Sequence, residues 1–233
     1  MSMKVNILTA YPDMFPGSLG HSLAGKALAD GRWEIHVANL RNFATDAYKS
    51  IDDTPFGGGA GMVMKPDVVD NALKAVHKAG PICYLSPRGA VFDQETARQW
   101  AETPEMTFIC GRFEGMDERL FAKWPIREIS LGDFVLSGGE PALLAMLDAA
   151  VRLIPAVMGN PVSLAEESFA SGLLEYPHYT KPAVWEGMAV PDVLTSGHHE
   201  NIRAWRRAQA EETTKTRRPD LWTKYLAQHN KKG

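Results

Sequence analysis

Three times between Ile82 and Glu140 a short, largely apolar stretch leads into a glycine-bearing turn: ICYLSPRG (82–89), TFICGRFEGMDER (107–119) and EISLGDFVLSGGE (128–140). Strands that run apolar without a clean alternation are covered on both faces, the pattern of parallel strands in an α/β sheet. Parallel strands send their following loops to one edge of the sheet, the carboxyl edge, where open α/β sheets bind ligands. The third unit is the fullest. It reads as a strand over 126–131, a turn at Gly132-Asp133, an apolar patch Phe134-Val135-Leu136, a second turn over 137–140, and a helix opening at Pro141. Ser137 is its N-terminal signal and Pro141 a first-turn residue. Three glycines there, Gly132, Gly138 and Gly139, bring bare backbone close to something. One such loop fits any strand-to-helix connection; three on one edge predict a pocket walled by backbone.

The remaining pattern agrees with an α/β domain. A parallel-type strand is expected over 4–9, a helix over about 17–30 and a second strand over 33–39. A long polar and glycine-rich segment follows, RNFATDAYKSIDDTPFGGGAGMVMKP, and a loop of this length in a compact domain is functional or disordered. Its aromatic and methionine content argues against disorder. The helix expected over 66–79 presents Val69, Leu73 and Val76 at helical spacing. After Gly159-Asn160-Pro161 the periodicity fades into a linker over 161–175, and a helical pattern returns from His198 to His229, broken at Pro219. Ile202, Trp205 and Ala208 mark one face of that helix, with Arg203, Arg206 and Arg207 on or near the other.

Several functions are disfavoured. No Gly-Lys-Ser/Thr follows Gly57 to Gly61, so a Walker site is not expected, and no Gly-x-Gly-x-x-Gly joins the first strand to its helix. The seven histidines are scattered, with no His-Glu-x-x-His or Cys-x-x-Cys to hold a metal. The longest apolar run, 141–159, is interrupted by Asp148 and Arg152, and the start of the chain reads as a strand rather than a signal peptide. Cys83 and Cys110 each fall in an expected buried strand, so a reduced, cytoplasmic protein with two small core thiols is the simplest reading. The net charge of −3 conceals a split: residues 200–233 hold nine Lys/Arg against four Asp/Glu, +5 for the tail and −8 for the rest. Such a tail suits a polyanion, although a solvated helix surface has the same composition.

PFGGGAGMVMKP, YLSPRG, CGRFEGMDER, ISLGDFVLSGGEPA, RLIPAVMG and LLEYPHYTKP, in that order, closely resemble the bacterial tRNA (guanine-N1)-methyltransferases of the SPOUT class, over essentially all of 4–222. The resemblance implies a knotted α/β cofactor domain over 1–160, whose parallel sheet ends in a deep trefoil knot, the linker over 161–175, and a small all-α tRNA-binding domain over 176–233. The implied reaction moves a methyl group from S-adenosylmethionine to N1 of the guanosine immediately 3′ of the anticodon. By resemblance the methyl donor lies against Tyr84, Leu85, Ser86 and Pro87, against Gly111 and Glu114, and against Leu131, Gly132, Asp133, Phe134, Val135, Leu136, Gly138 and Gly139. Glu114 would face its methionyl end, where a carboxylate could also help position the Mg²⁺ that family members require.

Chemistry adds two groups. Guanine N1 becomes nucleophilic only as its proton leaves, so a base must reach N1–H while a cation steadies charge developing at O6. The resemblance assigns the cation to Arg152, which the sequence alone reads as a helix-surface arginine, and the base to the linker acid before Ser168-Phe169. The family usually has Asp there and this chain has Glu167, a carboxylate with about 1.5 Å more reach; Glu166 is the alternative. RNA would be met by Asp52 and Gly59 on the glycine loop, by Tyr179 and Lys181, and by Arg203 and Arg207 of the basic helices. A homodimer with each site shared between subunits is also implied, with the apolar helix 141–154 a candidate for part of its interface. Three other readings stand beside this one. They are a ribose 2′-O-methyltransferase, a catalytically impaired homologue that binds tRNA and donor, and a small-molecule nucleotide-binding module.

Overall fold

The computed structural model describes residues 2–158 and 167–229. They fall into two compact units, Met1–Gly159 and Asn160–Gly233, each described by itself. The first is built on five strands: β1 (Met3–Thr9), β2 (Trp33–Asn39), β5 (Ile82–Val91), β6 (Glu105–Cys110) and β7 (Ile126–Ser130). They lie in the order β2-β1-β6-β5-β7, every pairing parallel. Two further strands, β3 (Asp52–Asp53) and β4 (Val63–Met64), pair antiparallel and fold the long glycine-rich segment into a hairpin.

Successive strand residues point to opposite faces, so each apolar strand serves two cores. Met3, Val5, Ile7, Cys83, Leu85, Phe108 and Cys110 pack on one side, with α5 (Gly139–Val151) supplying Leu143, Met146, Leu147 and Val151. Leu8, Ile82, Tyr84 and Ile109 pack on the other, under Val69, Leu73 and Val76 of α2 (Pro66–Val76). Cys83 and Cys110 are both free and buried.

Four local expectations are corrected. The helix expected over 17–30 is a 3₁₀ turn (Gly17–Gly20) followed by α1 (Ser22–Ala29), because Gly17 and Ser22 both take positive φ. Helix α2 ends at Val76, where His77 turns extended and its Nδ1 lies 3.0 Å from Thr107 Oγ1. The Ser-Pro-Arg-Gly segment, expected to close its strand, does not end it. It is a bulge inside β5, with Leu85 and Ala90 both opposite Ile129. Gly89 permits the close return, since a Cβ there would lie 2.3 Å from the Glu128 carbonyl carbon. The fourth lies at α5, which begins at Gly139 with Gly138 rather than Ser137 as its cap; Pro141 does lie in the first turn. Helices α3 (Gln94–Glu102) and α4 (Arg119–Lys123) complete the unit.

The second unit holds a hairpin of β8 (Val184–Trp185) and β9 (Met188–Ala189), then α6 (Asp192–Thr195), α7 (His199–Arg217) and α8 (Pro219–His229). Its core is Leu173, Ala210 and Tyr225, with Tyr176 and Trp222 against them. The inward stripe of α7 runs through Ile202, Arg206, Ala210 and Thr214, while Ala208 is exposed, because that stripe faces Leu173 and Tyr225. Leu173 stood within the expected linker; here it is anchored, and Leu174 N–H donates to Thr214 Oγ1 at 2.8 Å.

Candidate active site

At the carboxyl ends of β5, β6 and β7 the three glycine-bearing segments enclose a cavity of about 330 Å³, within the range of small-molecule sites. Every residue expected at the donor site lines it except Asp133, which is exposed on the outer side of the turn closed by Phe134 N–H to Gly132 O (2.9 Å). The walls are close-set backbone. A Cβ on Gly139 would lie 3.0 Å from Cys110 Cα and from Gly111 N, and Gly139 N–H donates to Gly111 O at 2.9 Å. A Cβ on Gly111 would meet the Tyr84 hydroxyl at 2.8 Å. Burial, with the charge of Glu128 adding, pushes the Tyr84 hydroxyl up to about 12, so it stays protonated at neutral pH.

Beneath this wall lies an ion pair that sequence reasoning did not single out. Glu140, at the start of α5, is fully buried; its Oε2 is 2.9 Å from Arg112 Nη2, and its Oε1 accepts from Thr9 Oγ1 (2.6 Å) and Arg112 Nε (3.3 Å). The helix N-terminus itself favours the carboxylate. Arg112 also donates from Nη1 to Ser137 O at 3.0 Å and lies over the Tyr11 ring at 4.2 Å. A Cβ on Gly138 would sit 2.4 Å from Arg112 Cζ, so this glycine makes room for the pair. Burial, with Glu140 contributing, drives the Cys110 thiol well up, which makes it an inert core group. The signal was present in Gly-Arg-Phe-Glu-Gly and Gly-Gly-Glu-Pro, but no spacing rule links Arg112 to Glu140.

The glycine loop is tied to the same wall. Glu114 N–H donates to Met62 O (2.9 Å), Met64 N–H to Gly115 O (2.9 Å) and Asp117 N–H to Met64 O (3.2 Å). Gly61, at φ +87°, lies against the Glu114 side chain so closely that a Cβ would fall 2.4 Å from Oε1. Asp52 lies in β3 opposite Met64, and Gly59 is exposed at the hairpin's tip. Arg88, a further lining residue, pairs with Glu128 (3.1 Å) and Glu118 (3.4 Å).

Arg152 caps the C-terminal end of α5 in the first unit, and Glu167 belongs to the second. Glu166 lies outside the described residues. Glu167 lines a groove of about 200 Å³ together with Arg203, Arg206 and Arg207. Arg203 pairs with Glu200 at 3.8 Å, Arg207 with Glu211 at 2.9 Å, and Arg206 lies over the Tyr176 ring at 4.8 Å. Tyr179 is half exposed, its ring 6.3 Å from that of Trp205, and Lys181 is exposed.

The cavity suits a ligand that combines a flat aromatic part with a charged end: Leu85, Pro87, Ile129, Phe134 and Leu136 give apolar walls, Glu114 gives a carboxylate, and the glycine segments give backbone donors and acceptors. S-adenosylmethionine has that composition. Among the described residues no group of three or more His, Cys, Asp or Glu could hold a metal ion.

Sequence comparison narrows the chemistry. The family described as tRNA (Guanine-1)-methyltransferase TrmD matches residues 3–224. A protein of Rhodospirillum rubrum described as tRNA (guanine-N(1)-)-methyltransferase is 57% identical over 228 residues, covering 97% of this chain and 95% of its own. Proteins of the same description from Rhizorhabdus wittichii and Ruegeria pomeroyi are 56% and 52% identical, with 97% and 96% of this chain covered and 93% and 94% of theirs.

Proposed function

Because this chain belongs to the tRNA (guanine-N1)-methyltransferase family, and is an enzyme of that activity with a SPOUT-type α/β fold, we propose that the glycine-walled cavity is where it holds S-adenosylmethionine and that Glu167 and Arg152 carry out the transfer. The acceptor is N1 of the guanosine immediately 3′ of the anticodon. The observation that supports the site is the convergence of three glycine-bearing segments on one cavity at the carboxyl edge, with Glu114 in its wall.

When bound, the donor supplies a methyl group on a positively charged sulfur. The protein's task is to orient that group, to deprotonate the acceptor and to hold the charge that follows. Backbone around Leu131 to Leu136 holds the adenine, and the Glu114 carboxylate faces the cationic methionyl end. Glu167 takes the N1 proton while Arg152 steadies charge at O6, as general-base and electrostatic catalysis require. Asp52 and Gly59 meet the target guanosine and its 5′ neighbour, while Tyr179, Lys181, Arg203 and Arg207 hold the anticodon-stem backbone. Phosphate contacts of this kind position the RNA without reading it. The family resemblance implies a homodimer in which one subunit's second unit completes its partner's site, so that Arg152 of one subunit and Glu167 of the other act on one guanosine. No helix among the described residues is long and apolar enough to cross a membrane, and a tRNA substrate supports a cytoplasmic location.

The test is single-turnover methyl transfer from labelled S-adenosylmethionine to a tRNA transcript with guanosine 3′ of the anticodon, beside one with adenosine there. Transfer to the first only, rising with pH to a plateau, is the expected outcome. Transfer to both points to another position on the RNA. Binding without transfer means that Glu167 in place of Asp has abolished the chemistry.

A further inference from the structure

Phe56 is fully exposed, and Tyr48, earlier in the same segment, is 91% exposed. A lone exposed apolar side chain is ordinary; the setting of Phe56 is not. The hairpin that carries it is fastened at its base by Asp52 opposite Met64 and Asp53 opposite Val63, and by Lys65 N–H donating to Ile51 O at 2.8 Å. Its far strand is bonded to the cavity wall through Met62 and Met64. The tip is a tight turn, closed by Gly58 N–H to Pro55 O at 3.2 Å.

The three glycines that follow Phe56 serve backbone conformation and not close packing. Gly57, Gly58 and Gly59 have φ of +90°, +76° and +123°, yet a Cβ on any of them would meet nothing within 4 Å. They leave bare peptide beside an exposed aromatic ring on a backbone fixed at both ends. A flat apolar face next to backbone donors and acceptors, held in place before binding, suits an unstacked nucleobase: the ring takes the base's face and the peptide its edge.

We propose that Phe56 is a stacking platform for a base flanking the target guanosine, holding the anticodon loop open while N1 is presented to the cavity; this rests on the tRNA-methylating reading above. The cost of unstacking a loop must be met by new contacts, and enzymes acting on a base meet it partly with aromatic faces. The loop's attachment to Glu114 and Gly115 sets the platform beside the donor wall, so one rigid segment serves both ligands.

Phe56 makes no buried contact, so its substitution spares the fold. Phe56→Ala is expected to lower kcat/KM for the transcript by about 10- to 100-fold, the loss of one stacked base. Affinity for S-adenosylmethionine measured without RNA, and the thermal midpoint, should stay at wild-type values. Phe56→Trp should retain activity and Phe56→Leu should not. Abasic substitution at one flanking nucleotide should weaken the wild type while leaving Phe56→Ala no worse. The proposal is overturned if Phe56→Ala stays within about twofold of wild type, if Phe56→Leu restores activity, or if Phe56→Ala lowers the oligomeric mass without RNA, which would make the ring a protein contact. If the wild type itself does not methylate the guanosine transcript, the underlying reading fails instead.

Discussion

Glu167 and Glu140 are both carboxylates, but their settings make opposite demands. Glu167 lines an open groove, and its proposed work is to accept a proton, so Glu167→Gln should reduce single-turnover transfer by about 10²- to 10⁴-fold, the usual worth of a general base. S-adenosylmethionine affinity should be unchanged; near-normal transfer would remove Glu167 from the role. Glu140 is sealed, and its work is to balance Arg112. Glu140→Gln strands a guanidinium that is only 16% exposed, which is expected to cost about 3–5 kcal/mol of stability, read from denaturant unfolding. Gly138→Ala should act on the same pair from the other side, by driving a methyl group into Arg112. The Gly-Gly-Glu-Pro segment therefore combines a wall of the cavity with the anchor that holds the wall.

Loops and helices are coupled by a few contacts that no single element explains. The glycine hairpin and the 111–117 segment are bonded at three backbone positions and pressed together at Gly61 and Glu114. Gly61→Ala places a Cβ at positive φ inside the Glu114 side chain, so it should displace that carboxylate from the cavity. An affinity loss for S-adenosylmethionine on the order of tenfold, measured by calorimetry without RNA, is expected; unchanged affinity would show that the two loops act separately. A second coupling joins α2 to α4. Burial alone would raise the Asp70 carboxyl, but Lys123 and Lys74, both at 2.7 Å, and Trp124 Nε1–H at 2.9 Å together hold it well below the usual carboxylate range. The unfolded chain has Asp near 3.9, about the ordinary value, so it binds this proton before the folded chain does. The contribution is thus whole above that pH and falls away as the solution is acidified below it. Asp70→Asn should be less stable than wild type at neutral pH and lose less on acidification, as followed by thermal unfolding across pH.

At the scale of the whole molecule, the proposed homodimer with sites shared between subunits predicts complementation. Neither Arg152→Ala nor Glu167→Gln should turn over alone. Mixed and re-equilibrated, they should regain about one quarter of wild-type activity, because half the dimers are mixed and each mixed dimer has one intact site. No recovery would mean that each subunit builds its site alone. The basic surface of α7 predicts tRNA binding that weakens with salt, and Arg203→Gln should lower the slope of log affinity against log salt by about one.

The sheet, the edge at which its loops gather and the glycine-walled pocket were all legible in residues 82–140, because strand periodicity and glycine placement are local properties written in neighbouring residues. So was the family, since its motifs are contiguous. The Arg112–Glu140–Thr9 cluster was not: its members lie 28 and 131 positions apart and meet only when β1, β6 and α5 are brought together. The bulge in β5 also needed the partner strand, for it is defined by Leu85 and Ala90 facing the same Ile129. The inward turn of Arg206 depended on where Leu173 and Tyr225 sit. Pattern along the chain specified which faces are apolar and where backbone must come close; which side chains share a site was decided by packing, because contact in space carries no period along the chain.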